Sequence, residues 1–122
     1  MLQRFVVVAF AWIEIIFGAS LVAVPDLPCV LLFAAKAEGL GVLLARLAGL
    51  GLLALGIAYL PSTATISRRS VVGPFVYNVG ATILLVWVGV GTTWHGFLLW
   101  PAAILHAAIT TALASQLLTT KD

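Results

Sequence analysis

Four runs of apolar residues follow one another along the chain, and each is long enough to cross a bilayer as a helix. They cover residues 5–24, 40–60, 71–93 and 97–115. A helix needs about 20 apolar residues to span the hydrocarbon core, where every backbone polar group must be bonded within its own segment. The pattern therefore predicts an all-α, antiparallel four-helix transmembrane bundle that forms a single domain over residues 1–122.

Proline positions agree with these boundaries. Pro25 and Pro28 follow the first run, and Pro61 follows the second. Proline ends a helix because it lacks the backbone N–H and clashes with the preceding turn. Pro74 and Pro101 are expected in the first turns of the third and fourth helices, where the missing N–H costs little.

The stretch between the first two runs has a pattern of its own. Asp26 and Pro28 are typical of a helix start, and the apolar residues 29–35 that follow are too few to span a membrane. This stretch predicts either a short interfacial helix or an extension of the second span. Lys36 and Glu38 are then expected at the lipid headgroups.

Composition places the chain in a membrane. It is 63% hydrophobic and 8% charged, with a mean hydropathy of +1.21, well outside the range of soluble domains. Six Lys and Arg residues against four Asp and Glu are too few for a nucleic-acid surface. The single cysteine excludes an intramolecular disulfide and a thiolate metal cluster.

Charges in the short loops predict the orientation. Four basic residues fall on one side of the four spans: Arg4, Arg68, Arg69 and Lys121. Asp26, Lys36 and Glu38 fall on the other side, beside the Trp94 and Trp100 anchors. The positive-inside rule then predicts a multi-pass protein of the bacterial inner membrane with both termini in the cytoplasm.

Each apolar run also holds one strongly polar side chain: Glu14, Arg46, Asn78 and His106. Counting residues from the start of each span brings all four close to the bilayer midplane. A charge exposed to lipid at that depth costs about 2.5–3.5 kcal/mol. We therefore expect all four side chains to point inward, with Glu14 and Arg46 forming a buried ion pair.

Two interpretations of this polar set carry equal weight: a clasp that sets helix register, and a functional site. In a site, Glu14 would be a general base or proton carrier and His106 the complementary acid. Arg46 would bind an anionic or carbonyl group, which Asn78 and Tyr77 would orient. One histidine and one carboxylate are too few for a metal site, and no residue pattern indicates a cofactor.

Small residues recur at helical spacing on two of the spans. One stripe comprises Gly41, Ala45 and Gly49, and the other comprises Ala103, Ala107, Thr111 and Ser115. Small residues allow helix backbones to approach closely. Packing within the chain is favoured over a dimer interface for both stripes.

Three motifs carry a resemblance: LARLAGLGLLALGIAYLPS at residues 44–62, the pair Tyr77-Asn78, and LLWPAAILHA at residues 98–107. In these the chain resembles small bacterial four-helix membrane proteins that are loosely similar to the DoxX-like families. The resemblance implies a four-helix bundle and no particular activity.

Small multidrug-resistance transporters share the length, the four helices and an acidic residue in the first helix, which would be Glu14. Their second-helix pattern of proline, alanine-tyrosine-alanine and tryptophan-glycine is absent here. The expected partners of Glu14, namely Arg46 and His106, also argue against an exporter that depends on an unpaired glutamate.

The function favoured by the sequence is a membrane protein that is an accessory subunit or binds a small apolar molecule. The first alternative is an intramembrane isomerase or hydrolase of a lipophilic substrate that uses Glu14 and His106. The second is a proton-coupled small transporter. Expected partners are the lipid bilayer, a small apolar ligand, and a second copy or a larger membrane complex, but no nucleic acid.

Overall fold

The computed structural model describes the backbone of residues 2–60 and 68–119 and the side chains of residues 5–60 and 71–119. This part of the chain forms helices α1 (Leu2–Ala23), α2 (Asp26–Phe33), α3 (Leu40–Tyr59), α4 (Arg68–Gly91) and α5 (Leu99–Thr119). Within it, α1, α3, α4 and α5 are each long and apolar enough to span a membrane. The predicted all-α four-helix architecture is confirmed.

Helix α2 is separate from α3 and is too short to span a bilayer. Its C-terminal carbonyls accept hydrogen bonds from the loop before α5, from Gly96 N to Leu32 O at 2.9 Å and from Leu98 N to Leu31 O at 2.7 Å. These bonds hold α2 at the end of the bundle where α1 and α4 finish and where α3 and α5 begin. We call this end the outer end.

The expectation for Pro74 was wrong, because α4 begins at Arg68 and Pro74 lies inside the helix. The apolar run begins only at Val71, but the three polar residues before it extend the same helix. A helix is held by backbone hydrogen bonds, so it can include polar residues beyond the end of the apolar run. Pro101 is in the first turn of α5, as predicted. Pro61 lies outside the described residues.

Helices α1 and α3 pack closely because glycines remove the side chains between them. A Cβ on Gly18 would lie 2.7 Å from the carbonyl oxygen of Gly49, and one on Gly56 would lie 2.6 Å from that of Ala11. Gly49 therefore packs within the chain, as expected for its stripe, whereas Gly41 has open space around it. This contact sets the antiparallel register of the two helices.

The small-residue stripe of α5 is only partly used inside the bundle. Ala103 is buried, but Thr111 and Ser115 are exposed. Their hydroxyls donate to carbonyls of α5 itself, Thr111 to Ala107 and Ser115 to Ala112. Packing within the chain thus holds for Ala103, and a dimer interface on the exposed part of the stripe remains the alternative.

The helices form two pairs, α1 with α3 and α4 with α5, and the pairs meet along α1 and α5. The half of the bundle away from α2 is filled by a cluster around Phe10, with Val71, Ile109 and Leu113. Tyr59 and Tyr77 pack their ring edges against Phe10, with centroids 6.0 and 6.2 Å away. This solid inner half leaves the outer half as the place where a cavity forms.

Apolar side chains remain exposed on all four long helices, including Ile16, Leu47, Ile83 and Ile104. In water this surface would be strongly unfavourable, whereas lipid chains can cover it. Trp94 and Trp100 at the outer end are also exposed. The molecule is thus a small membrane protein with four candidate spans.

Candidate binding cavity

Glu14 lies in the middle of α1 and is 2% exposed. The Tyr77 hydroxyl of α4 donates a hydrogen bond to its carboxyl group. A buried carboxyl group needs such a partner, because burial without one is costly. The hydrogen bond therefore ties α1 to α4, which otherwise belong to different helix pairs.

Asn78 is fully buried and links α4 to α5. Its Nδ2 donates to the carbonyl oxygen of Pro74 at 2.8 Å, and its Oδ1 is 2.7 Å from Nδ1 of His106. A carbonyl oxygen only accepts, so the amide must direct Nδ2 towards Pro74 and Oδ1 towards the imidazole. Nδ1 of His106 therefore carries a hydrogen, and a neutral imidazole keeps Nε2 as an acceptor.

These groups form one layer. The Tyr77 and His106 rings meet edge to face, with centroids 5.8 Å apart. Three helices therefore bring polar side chains to one level: Glu14 from α1, Tyr77 and Asn78 from α4, and His106 from α5. Antiparallel helices that each carry a polar residue near mid-span place those residues at the same depth, as the residue count predicted.

Arg46 does not join this layer, and the predicted Glu14–Arg46 ion pair is absent. Gly18 faces Gly49 across the α1–α3 contact, so the antiparallel register places Glu14 level with Leu53. Arg46 is seven residues before Leu53, which is about 10 Å along the helix axis. Counting from the helix ends underestimated this separation.

Arg46 also lies on the wrong side of α3 to point inward. It is nine residues from Leu55, which lines the interior, and at about 3.6 residues per turn this places it on the opposite side of the helix. The side chain is exposed, close enough to the outer end of α3 for its guanidinium to reach the headgroup region. The expectation that all four polar side chains point inward was therefore wrong for Arg46.

This correction also changes the comparison with drug exporters. Glu14 bonds to a neutral tyrosine and not to a guanidinium, so ion pairing no longer argues against such a mechanism. The absent second-helix pattern remains the argument against it.

A cavity of about 890 Å³ lies above the polar layer, in the outer half of the bundle. Its floor carries Glu14, Tyr77 and His106, and its roof is formed by Pro28, Cys29, Leu32 and Phe33 of α2. Its walls are apolar residues of all four long helices: Phe17, Leu21, Leu52, Ala81, Leu85 and Ala102. The cavity is thus apolar except at its floor and at the single thiol of the roof.

The cavity also reaches the surface of the bundle, where exposed residues of three helices line it. These residues are Ala48 and Gly51 of α3, Leu84 of α4, and Pro101 and Leu105 of α5. Small residues on α3 leave this side open, and a Cβ on Gly51 would meet nothing within 4 Å. An opening at this position faces the hydrocarbon core of the bilayer.

The described lining of the cavity carries no permanent positive charge. Among the described residues that line it, Glu14 is the only ionisable carboxyl group, and neither lysine nor arginine is present. No group of three or more His, Cys, Asp and Glu side chains in the described part of the chain has the arrangement of a metal site.

Neither the cavity nor its α2 roof was predicted from the sequence. One available signal was the spacing of Ala48 and Gly51, small residues on the side of α3 that does not face α1. Small residues predict either close packing or empty space, and only the positions of the neighbouring helices decide between them.

Comparisons of the chain with protein-family models, with curated proteins and with solved structures gave no match. The likeness to DoxX-like families stays a prediction based on the three motifs. Any function must therefore follow from the geometry of the cavity.

Proposed function

We propose that this protein binds a small lipophilic molecule in the cavity between its helices. The observation that carries the proposal is an apolar cavity of about 890 Å³ with a carboxyl, a phenol and an imidazole together at its floor. Sites for small molecules are typically apolar cavities of about 300–1,000 Å³ with a few convergent polar groups. An apolar void without a ligand would also forfeit packing contacts.

The exposed part of the cavity lining, beside α3, supports entry from the bilayer. A lipophilic molecule is concentrated in the hydrocarbon core and would pass Ala48, Gly51 and Leu84 without entering water. Entry from the outer aqueous side would require α2 to release the carbonyl groups that bond to Gly96 and Leu98.

Filling the cavity from Gly51 tests this proposal. We expect wild-type protein to bind farnesene, an apolar isoprenoid hydrocarbon, and Gly51→Phe to lose most of this binding because its ring occupies the opening. Native mass spectrometry of the purified protein would count the molecules bound per chain. Gly41→Phe is the matched control: it lies on the same helix, also in open space, but does not line the cavity.

The control separates occupancy of the cavity from adsorption on the apolar surface. Equal farnesene binding by wild type, Gly51→Phe and Gly41→Phe would place the hydrocarbon on that surface and contradict the proposal. Failure of the wild-type protein to bind both farnesene and its alcohol, farnesol, would contradict it directly.

A second candidate is the intramembrane enzyme, an isomerase or hydrolase of a lipophilic substrate. It is favoured by the presence of Glu14 and His106 at the floor of one cavity, which brings a carboxyl group and an imidazole to the same space. Conversion of a bound molecule by wild-type protein but not by Glu14→Gln would support this candidate over binding alone.

We further propose the bacterial inner membrane as the location, with both termini in the cytoplasm. Support comes from the basic residues near the termini and at the start of α4. The α2 roof, with Cys29, is then on the periplasmic side.

The thiol of Cys29 reports on this orientation. A membrane-impermeant maleimide added outside intact cells is expected to label it slowly at neutral pH and faster as the pH rises. Burial raises the pKa of the Cys29 thiol, and the nearby Asp26 carboxylate raises it further. The reactive thiolate is therefore scarce until the pH exceeds the usual range for cysteine.

Asp26→Asn should lower the pKa of Cys29 and speed its labelling at neutral pH, which mass spectrometry of the intact protein would measure. Cys29→Ser is the blank, because the chain has one cysteine. Labelling only after the cells are opened would reverse the proposed orientation.

A further inference from the structure

We propose that the cavity selects a neutral lipophilic molecule that carries a hydroxyl group, and that the hydroxyl donates a hydrogen bond to Nε2 of His106. This inference rests on the proposed binding function and adds the chemistry of the ligand. It depends on three features of the floor: its charge, its hydrogen-bonding groups and its depth.

The charge of the floor excludes anionic ligands. The described lining contains no lysine or arginine, and Arg46 is exposed on the far side of α3. A carboxylate or phosphate would therefore lie next to Glu14 in an apolar cavity without a compensating cation. Burying an unpaired charge in such surroundings is strongly unfavourable.

The imidazole at the floor is an acceptor towards a ligand. The Tyr77 hydroxyl already donates to Glu14, and Nδ1 of His106 already donates to Asn78. In the neutral ring, the atom of His106 left for a ligand is Nε2, which carries a lone pair. A ligand that presents an O–H satisfies this acceptor, whereas an ether or a ketone brings a second acceptor to it.

The depth of the floor determines how the ligand lies. Glu14, Tyr77 and His106 are near the middle of their helices, and the apolar walls run from there to the α2 roof. The ligand must carry its polar end to the middle of the membrane and its apolar chain towards the outer end. A phospholipid has the opposite arrangement, because its headgroup stays at the bilayer surface.

Four probes with one farnesyl chain and different ends test this inference: farnesol, its methyl ether, farnesoic acid and farnesene. Native mass spectrometry at neutral pH would give an apparent dissociation constant for each with wild-type protein. We expect farnesol to bind about tenfold more tightly than the methyl ether and farnesene, which is the effect of one hydrogen bond to a buried acceptor. Farnesoic acid should bind most weakly.

His106→Phe tests the assigned acceptor, because it keeps an aromatic ring of similar shape and removes Nε2. It should lose the preference for the hydroxyl group and bind farnesol and farnesene about equally. Should His106→Phe fail to fold, the four-probe comparison on wild-type protein still decides the question.

The possible outcomes are distinct. Equal binding of farnesol, methyl ether and farnesene would overturn the selection of a hydroxyl group and leave the proposed binding function standing. Tighter binding of farnesoic acid would overturn the argument from charge. Failure of all four probes to bind would overturn the proposed function and this inference together.

Discussion

Gly49→Leu is expected to lower the free energy of unfolding by about 3 kcal/mol, the upper part of the range for overpacked sites. A Cβ at this position would already lie 2.7 Å from the Gly18 carbonyl oxygen and 2.8 Å from the Leu21 Cβ. Both neighbours belong to the body of α1, so only separation of α1 from α3 can relieve the contact. Unfolding of the purified protein in mixed micelles, followed by circular dichroism, would measure the change.

Gly41→Leu is the matched control on the same helix, because nothing lies within 4 Å of its Cβ position. It should change the free energy of unfolding by less than about 0.5 kcal/mol, as surface substitutions usually do. Equal stability of Gly49→Leu and Gly41→Leu would show that α1 and α3 do not pack through these glycines.

The second large effect is expected from Asn78→Leu, which should cost about 1–3 kcal/mol. Asn78 is fully buried, and its loss leaves Nδ1–H of His106 without an acceptor inside the bundle. His106→Leu should have a similar effect, because it leaves the buried Asn78 Oδ1 without a donor. Chemical unfolding of the two variants beside wild type would measure both costs.

The double variant Asn78→Leu/His106→Leu should be more stable than the sum of the single effects predicts. Removing both partners leaves no unsatisfied group, and such coupling in membrane proteins averages about 0.6 kcal/mol and reaches about 1.7 kcal/mol. Arg46→Gln is the comparison for a polar residue outside the layer and should be near neutral. Strictly additive single effects would argue against the 2.7 Å bond between Asn78 and His106.

These variants also separate the two interpretations of the polar layer. Asn78 is hydrogen-bonded to His106 but does not line the cavity. His106 shares that hydrogen bond and also lines the cavity. If the layer is only a clasp, both single variants lose stability and wild-type and variant proteins carry the same bound molecules. If the layer is a functional site, His106→Phe should weaken ligand binding by more than its loss of stability explains.

The common level of Glu14, Asn78 and His106 was predictable from helix length, although the same count misplaced Arg46. Glu14, Asn78 and His106 lie near mid-span, and antiparallel helices of similar length bring mid-span residues together. The partner of each residue depends on helix rotation and register, which the apolar pattern does not specify. Every face of these helices is apolar, so hydrophobicity does not show which face turns inward.

Arg46 is the clearest example of this limit. Charge alone suggested an ion pair with Glu14, and the glycine contacts of α3 decided otherwise. Gly49 and Gly56 pack one face of α3 against α1. In this orientation the Arg46 side chain lies on the outside of the bundle, and the carboxyl group of Glu14 is hydrogen-bonded to Tyr77 instead. Close backbone packing excluded the arrangement that electrostatics favoured.

The sequence by itself determined that this is a four-helix membrane protein, because the length and hydropathy of a span follow directly from its residues. It also determined that a carboxyl group, an amide and an imidazole lie at one depth. Only the tertiary structure decided that the helices pair as α1 with α3 and α4 with α5, with a cavity between the pairs. The reason is physical: a cavity is defined by what neighbouring helices leave unfilled, and no single helix encodes that space.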